Sequence, residues 1–181
     1  APAFAAAEPV SAGPAGAKFP IAVGARAMID VADLDGNGRD DLIVGDLSGR
    51  IQVFYDLASS GMPDLAVGRA VQVGGAALSV PSGRAAPVAV DFDGDGRLDL
   101  LAGNTEGQLW LYRNAGTAAE PAFLGGVPLT LATGEAIDLP GTPRSRPTVA
   151  DLSGDGVLDV LIGSQDGSLL LHEGQAPAEN D

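Results

Sequence analysis

The chain has 181 residues, 45% of them apolar, and a formal charge of −14. That supplies enough apolar material for one core or one array of repeats, and it excludes wholesale disorder. The ten Lys and Arg are scattered without a basic stripe, which excludes a nucleic-acid surface, and the absence of Cys excludes disulfides and thiolate metal sites.

Taken in chain order, the N-terminus Ala1-Pro2-Ala3-Phe4 has neither Met nor a signal peptide, as expected of a mature chain after cleavage or of a trimmed one. A weak strand-like stretch opens at Pro2-Ala3-Phe4, and a clearer strand is expected over residues 27–32. Then comes an Asp-rich loop, Asp33-Leu34-Asp35-Gly36-Asn37-Gly38-Arg39-Asp40-Asp41, followed by the apolar run Leu42-Ile43-Val44 and a strand over 49–54. The same order returns. Pro63-Asp64-Leu65 matches the weak stretch, residues 87–90 the clear strand, and Asp91-Phe92-Asp93-Gly94-Asp95-Gly96-Arg97-Leu98-Asp99 the loop. Leu100-Leu101-Ala102 and 107–112 follow. A third round brings Pro121-Ala122-Phe123 opening the stretch 123–131, a strand at 147–150 and the loop Asp151-Leu152-Ser153-Gly154-Asp155-Gly156-Val157-Leu158-Asp159. Val160-Leu161-Ile162 and 167–172 close it. The loops start at 33, 91 and 151, spacings of 58 and 60.

Each round supplies about four strands, the content of one propeller blade. The runs 42–44, 100–102 and 160–162 are apolar at successive positions, and successive strand residues face opposite sides. Both faces of these strands are therefore expected to be buried between neighbouring sheets. The fold class read here is all-β, with three four-stranded propeller-type blades forming a partial or oligomer-completed β-propeller. The weak stretch, taken as the outer strand ahead of its own loop, sets the units at 1–56, 57–115 and 116–175, with an acidic tail at 176–181.

The loops carry oxygen ligands at alternate positions. The first offers Asp33, Asp35, Asn37 and Asp41 with the carbonyl of Arg39. The second offers Asp91, Asp93, Asp95 and Asp99 with the carbonyl of Arg97, and the third Asp151, Ser153, Asp155 and Asp159 with the carbonyl of Val157. Six to eight oxygens with flexible geometry suit Ca²⁺, so three calcium sites are expected, one per repeat. A lone Asp-Gly turn needs no metal. Without a cation, though, each of these loops would hold three or four carboxylates in mutual repulsion. The second loop, with four, is expected to bind most tightly. An EF-hand is excluded because its closing Glu is replaced by Val44, Ala102 and Ile162, and the flanks read as strands.

Asp-x-Asp-Gly-Asp-Gly-x-x-Asp, then Leu-Leu-x-Gly, then Gly-x-Leu-x-Leu-Tyr resembles the FG-GAP and VCBS repeat families. The resemblance implies propeller blades, usually seven to a ring, with calcium held between two strands. Ser153 departs from the usual Asp or Asn.

His172 reads as a strand residue near the chain end, and Trp110 as packing between blades. Arg26, Arg84, Arg144 and Arg146 read as partners of acidic loops or as turn caps. No nucleophile motif and no phosphate-cradling loop appears, so no enzyme is expected. No apolar run is long enough to span a membrane. Three blades leave two open faces, which calls for self-association, for a protein partner, or for the remainder of a larger propeller of which this chain is a part. The expected function is thus an extracytoplasmic, calcium-stabilised interaction or structural module, secreted, periplasmic or at the cell surface. A carbohydrate-binding, lectin-like propeller is the second reading, disfavoured by 4% aromatic content. A hydrolase with structural calcium is the third.

Overall fold

The computed structural model describes residues 5–139 and 144–176. The stretch at Pro2-Ala3-Phe4, Pro143 and the tail 177–181 lie outside the described residues. The first elements are β1 (Ser11–Ala12), β2 (Phe19–Pro20), β3 (Met28–Ala32), β4 (Asp41–Gly45) and β5 (Ile51–Phe54). Then come β6 (Arg69–Ala70), β7 (Gln72–Val73), β8 (Ala76–Ala77), β9 (Ala86–Val90) and β10 (Asp99–Gly103). The last are β11 (Leu109–Tyr112), β12 (Val127–Pro128), β13 (Arg146–Ala150), β14 (Asp159–Gly163) and β15 (Leu169–His172). The described residues contain no helix, as the Gly and Pro punctuation dictates.

The sheets are antiparallel and none closes on itself. Sheet 1 runs β3-β4-β5-β6, sheet 2 runs β9-β10-β11-β12, and sheet 3 runs β13-β14-β15. Two hairpins, β1-β2 and β7-β8, stand apart. The clear strands and the apolar runs fall where the sequence pattern puts them. The weak stretch does not. In sheets 1 and 2 the fourth strand follows its loop, and it comes from the segment assigned above to the next repeat. The reason lies in the connection. Leu57 N donates to Asp64 O at 3.1 Å and Ala66 N to Tyr55 O at 2.8 Å, so the chain doubles back antiparallel and delivers Arg69 opposite Val53. Sheet 3 consequently shows three strands among the described residues, not four.

The sheets stack face to face. Ile43, Ile51 and Val53 of sheet 1 share a buried cluster with Leu100, Ala102 and Tyr112 of sheet 2. Leu101, Leu109 and Leu111, on the opposite face of sheet 2, share the next cluster with Val160 and Ile162 of sheet 3. Leu100, Leu101 and Ala102 are all fully buried, which matches the two-faced apolar run. Burial of one such Leu is worth about 1.5–3 kcal/mol. Trp110 packs against the cluster between sheets 1 and 2, and His172 sits half-buried on β15 opposite Val160.

Connecting segments wedge into these stacks in a repeated way. Leu78 N donates to Val71 O at 2.7 Å, and Ile137 N to Leu129 O at 2.8 Å. Near the start of the chain, Ile21 N donates to Val10 O at 2.8 Å in the same arrangement. There Ala12, Ile21 and Val23 cover Val44 and Phe54 on the outer face of sheet 1. The outer face of sheet 3 has no such cover among the described residues. Leu169 is 72% exposed and Leu171 48%, whereas their counterparts Ile51, Val53, Leu109 and Leu111 are at most 4% exposed.

Candidate metal sites

Each Asp loop is the tip between the first two strands of its sheet. Two glycines per loop adopt left-handed backbone, Gly36 and Gly38 in the first (φ 69° and 85°). A Cβ is disfavoured there, and the tight turn needs both. The leading Asp organises the turn. Asp33 Oδ2 accepts from Gly38 N at 2.8 Å, Asp91 Oδ2 from Gly96 N at 2.8 Å, and Asp151 Oδ2 from Gly156 N at 3.0 Å. Asn37, Asp95 and Asp155 each accept from the N–H two residues on, those of Arg39, Arg97 and Val157.

The ninth residue ties the loop to the sheet. Asp41, Asp99 and Asp159 open the second strand and are at most 1% exposed. Asp41 accepts from Leu34 N at 3.1 Å and from Asp56 N at 2.8 Å. Asp159 accepts from Leu152, Ser153 and Gly174 N–H groups. Asp99 Oδ1 accepts from Asn114 N at 2.7 Å, but its Oδ2 is buried without a hydrogen-bond partner. Burial is the main force pushing the Asp41 carboxyl up to about 6, and the charges of Asp35 and Asp33 add to it. Burial likewise raises Asp99, with Asp93 contributing. Asp159 goes the other way, because the N–H of Gly174 outweighs its burial.

Asp33, Asp35 and Asp41 bring one oxygen each to within 4.8 Å of one another, and so do Asp91, Asp93 and Asp95. Oxygens at 2.3–2.6 Å from one Ca²⁺ are separated by no more than about 5 Å, so both groups fit a single hard cation. The Asp99 oxygen that lacks a hydrogen bond lies in the same loop as the second group, 3.9 Å from Arg113 Nε. No such group of three carboxylates forms in the third loop among the described residues. Ser153 supplies a hydroxyl where the other loops have Asp35 and Asp93.

A feature missed in the sequence lies one strand away. Arg113, just after β11, pairs with Asp93 and comes within 3.9 Å of Asp99, and Arg97 pairs with Asp95. In the first loop Arg39 pairs instead with the buried Asp56, at 2.7 Å. Burial alone would raise the Asp56 carboxyl, but the N–H groups of Ala58 and Asp64 and the Arg39 guanidinium together hold it below the usual range. Tyr55 and Glu173 occupy the position of Arg113 in the other repeats, so aligning the repeats would have exposed the odd cation. Two of the four carboxylates of the second loop thus start out neutralised. The expected order of affinity becomes first loop over second. Arg113→Ala is expected to tighten the second loop about fivefold, equivalent to ~1 kcal/mol for a half-exposed ion pair. Calcium titration in an Asp33→Ala background, which removes the first loop's contribution, measures it. Unchanged affinity would contradict the competition.

A family model for the FG-GAP-like repeat matches residues 33–102 and again 91–162. The chain belongs to the FG-GAP-like repeat family. Each match to this FG-GAP-like repeat runs from the start of one Asp loop into the central strand after the next loop, so the loops and the sheets between them are the repeating unit. No curated protein matches the chain at a significant level.

Proposed function

We propose that this FG-GAP-like chain is a calcium-stabilised, propeller-type interaction module that works outside the cytoplasm and is not an enzyme. The observation that carries the reading is the convergence of Asp33, Asp35 and Asp41 at the tip of a sheet. With Asn37 and the Arg39 carbonyl they would hold the first Ca²⁺. Asp91, Asp93, Asp95, Asp99 and the Arg97 carbonyl would hold the second. Asp151, Ser153, Asp155, Asp159 and the Val157 carbonyl would hold a weaker third. Bound calcium supplies charge neutralisation, and the chain's own aspartates tie each loop to the strand behind it. Millimolar extracellular calcium suits modules of modest affinity.

The interaction surface is the outer face of sheet 3. Leu169 and Leu171 repeat the apolar positions that sheets 1 and 2 bury against their neighbours. The partner that fits is a further sheet of the same kind, from a second copy of the chain, from another protein or from a further part of the same protein. Three stacked sheets fall short of the four to eight blades of most propellers, and two copies together would supply six.

A carbohydrate reading draws some support from an open cleft of about 650 Å³ lined by Tyr55, Arg69, Gln72 and Phe123. The Arg69 guanidinium lies 5.9 Å from the centre of the Tyr55 ring, and Phe123 is only 8% exposed. Little aromatic face is left for a sugar, and a protein partner is preferred.

The test is mass in solution, in calcium and after chelation, for the native chain and for Leu171→Asp. The native chain is expected to be larger than a monomer in calcium and to dissociate on chelation. Leu171→Asp should stay monomeric with an unchanged β-sheet spectrum. An association that survives Leu171→Asp would contradict the assigned face.

A further inference from the structure

Arginine stands at 26, 84 and 144, with the 58- and 60-residue spacing of the Asp loops, just ahead of β3, β9 and β13. All three have left-handed backbone, φ 61°, 58° and 108°. Residues other than Gly, Asn and Asp seldom adopt it. The backbone sets the three segments side by side. Leu47 N donates to Ala25 O and Arg84 N to Leu47 O, both at 2.9 Å, so the segments of Arg26 and Arg84 flank one residue. At the matching turn of the next repeat, Thr105 N donates to Gly83 O at 3.2 Å and Ser145 N to Asn104 O at 3.1 Å. The segments of Arg84 and Arg144 therefore meet there.

Arg84, in the middle of this row, is only 6% exposed, and its Nη1 is buried without a hydrogen-bond partner. Among the described residues the ion pairs use Lys18, Arg39, Arg97 and Arg113. None uses Arg26, Arg84, Arg144 or Arg146. Asp46, on the same turn as Leu47, accepts at its Oδ1 from Ser48 N, Ser48 Oγ and Arg50 N. Burial first, then the charges of Arg144, Arg146 and Arg26, holds Arg84 below the ordinary arginine range. The chain has 24 acidic residues and ten Lys and Arg, yet among the described residues no ion pair joins an acid to these four. Of the two roles expected for them, pairing with acidic loops is not seen among the described residues, whereas a place at turns is, with Arg84 N donating to Leu47 O.

A buried guanidinium beside other cations is costly unless an anion joins it. We propose that Arg26, Arg84, Arg144 and Arg146 form a binding site for a doubly charged oxyanion, a sulfate or phosphate group, free or as an ester. The planar fork of Arg84 matches two oxygens of such a group. Two negative charges suit four converging cations better than one carboxylate does. The site uses none of the Asp loops, so it stands or falls separately from calcium.

The test is thermal melting of the calcium-loaded chain in inorganic sulfate, against sodium chloride at equal ionic strength. Sulfate is expected to raise the melting temperature by several degrees beyond chloride. Arg84→Gln should melt higher than the native chain without sulfate, because it removes an unpartnered buried charge, and should lose the sulfate-specific shift. If Arg84→Gln does not fold, the exposed Arg26→Gln replaces it and should cut sulfate affinity at least fivefold. Glucose 6-phosphate is the second probe. Tenfold tighter binding than sulfate assigns the site to an ester, and equal binding to the free ion. Equal shifts in sulfate and chloride, or a sulfate shift untouched in both variants, would overturn the proposal.

Discussion

Asp41→Ala is expected to unfold the first sheet in part or whole, and Asp41→Asn to separate the two roles of this residue. The Asp41 side chain is fully buried and both its oxygens accept backbone N–H groups, from Leu34 at 3.1 Å and Asp56 at 2.8 Å. Alanine leaves both donors buried and unpaired, at about 1–3 kcal/mol each. Leu34 is itself a core residue at 1% exposure, so the loop cannot swing out to find water without uncovering it. Asparagine keeps an acceptor and removes the charge. Burial and the neighbouring Asp35 and Asp33 raise the Asp41 carboxyl to about 6, so above that pH the metal-free fold carries a penalty absent from the unfolded chain. The folded form binds the proton more tightly, and the penalty therefore fades as pH falls from 6 towards the ordinary aspartate value. At pH 7 without calcium, Asp41→Asn should melt above the native chain. With calcium it should melt below, because a ligand charge is gone. Melting curves of the native chain and both variants, with and without calcium, check all of this. The same sign for Asp41→Asn in both conditions would contradict a metal role.

Gly103→Ala is expected to be nearly as damaging, and Gly163→Ala harmless to the fold. Gly103 ends β10 where the entry to β13 crosses it. An added Cβ would overlap the Ser145 carbonyl oxygen and come within 2.6 Å of Ser145 Oγ. That hydroxyl is committed, donating to Gln108 O at 2.7 Å and accepting from Asn104 N at 2.9 Å. Gly45 meets Ala85 O and Pro87 in the same way between sheets 1 and 2. Backbone has to move in either case, at about 1–3 kcal/mol or more. Each ~1 kcal/mol lowers the melting temperature of a chain this size by about 2–4 °C. Gly163 is the counterpart in sheet 3, and among the described residues nothing lies nearer than 3.8 Å to its added Cβ. Thermal melts of Gly45→Ala, Gly103→Ala and Gly163→Ala make the comparison. If a further sheet docks on sheet 3 as its neighbours dock on theirs, Gly163→Ala should also abolish association while leaving the melt of the monomer unchanged.

The parts legible in the sequence are those whose pattern is local. Alternating oxygen residues and two glycines define each loop, because one ion or one turn must be served by neighbours in the chain. The three-residue apolar runs mark strands covered on both sides for the same reason. Leu161 only half follows, since the face it shares with Leu169 and Leu171 lacks a neighbour among the described residues. The fourth strands were misplaced because two-residue strands such as Arg69–Ala70 carry almost no pattern. Their position is decided by the turn between residues 56 and 65, where Asp56 Oδ1 gathers the N–H groups of Ala58 and Asp64. Asn114 does the same for Gly116 and Ala122. Arg84 is legible as a repeated position, but its burial comes from packing between segments far apart in sequence, and Arg113 stands out only where the repeats are aligned against Tyr55 and Glu173.

The most direct test of calcium as the staple of these sheets is a calorimetric calcium titration paired with melting in excess chelator. Three ions per chain are expected, the third weakest, with a melting temperature that drops sharply once calcium is removed. No binding heat at millimolar calcium, with an identical melt in chelator, would contradict it.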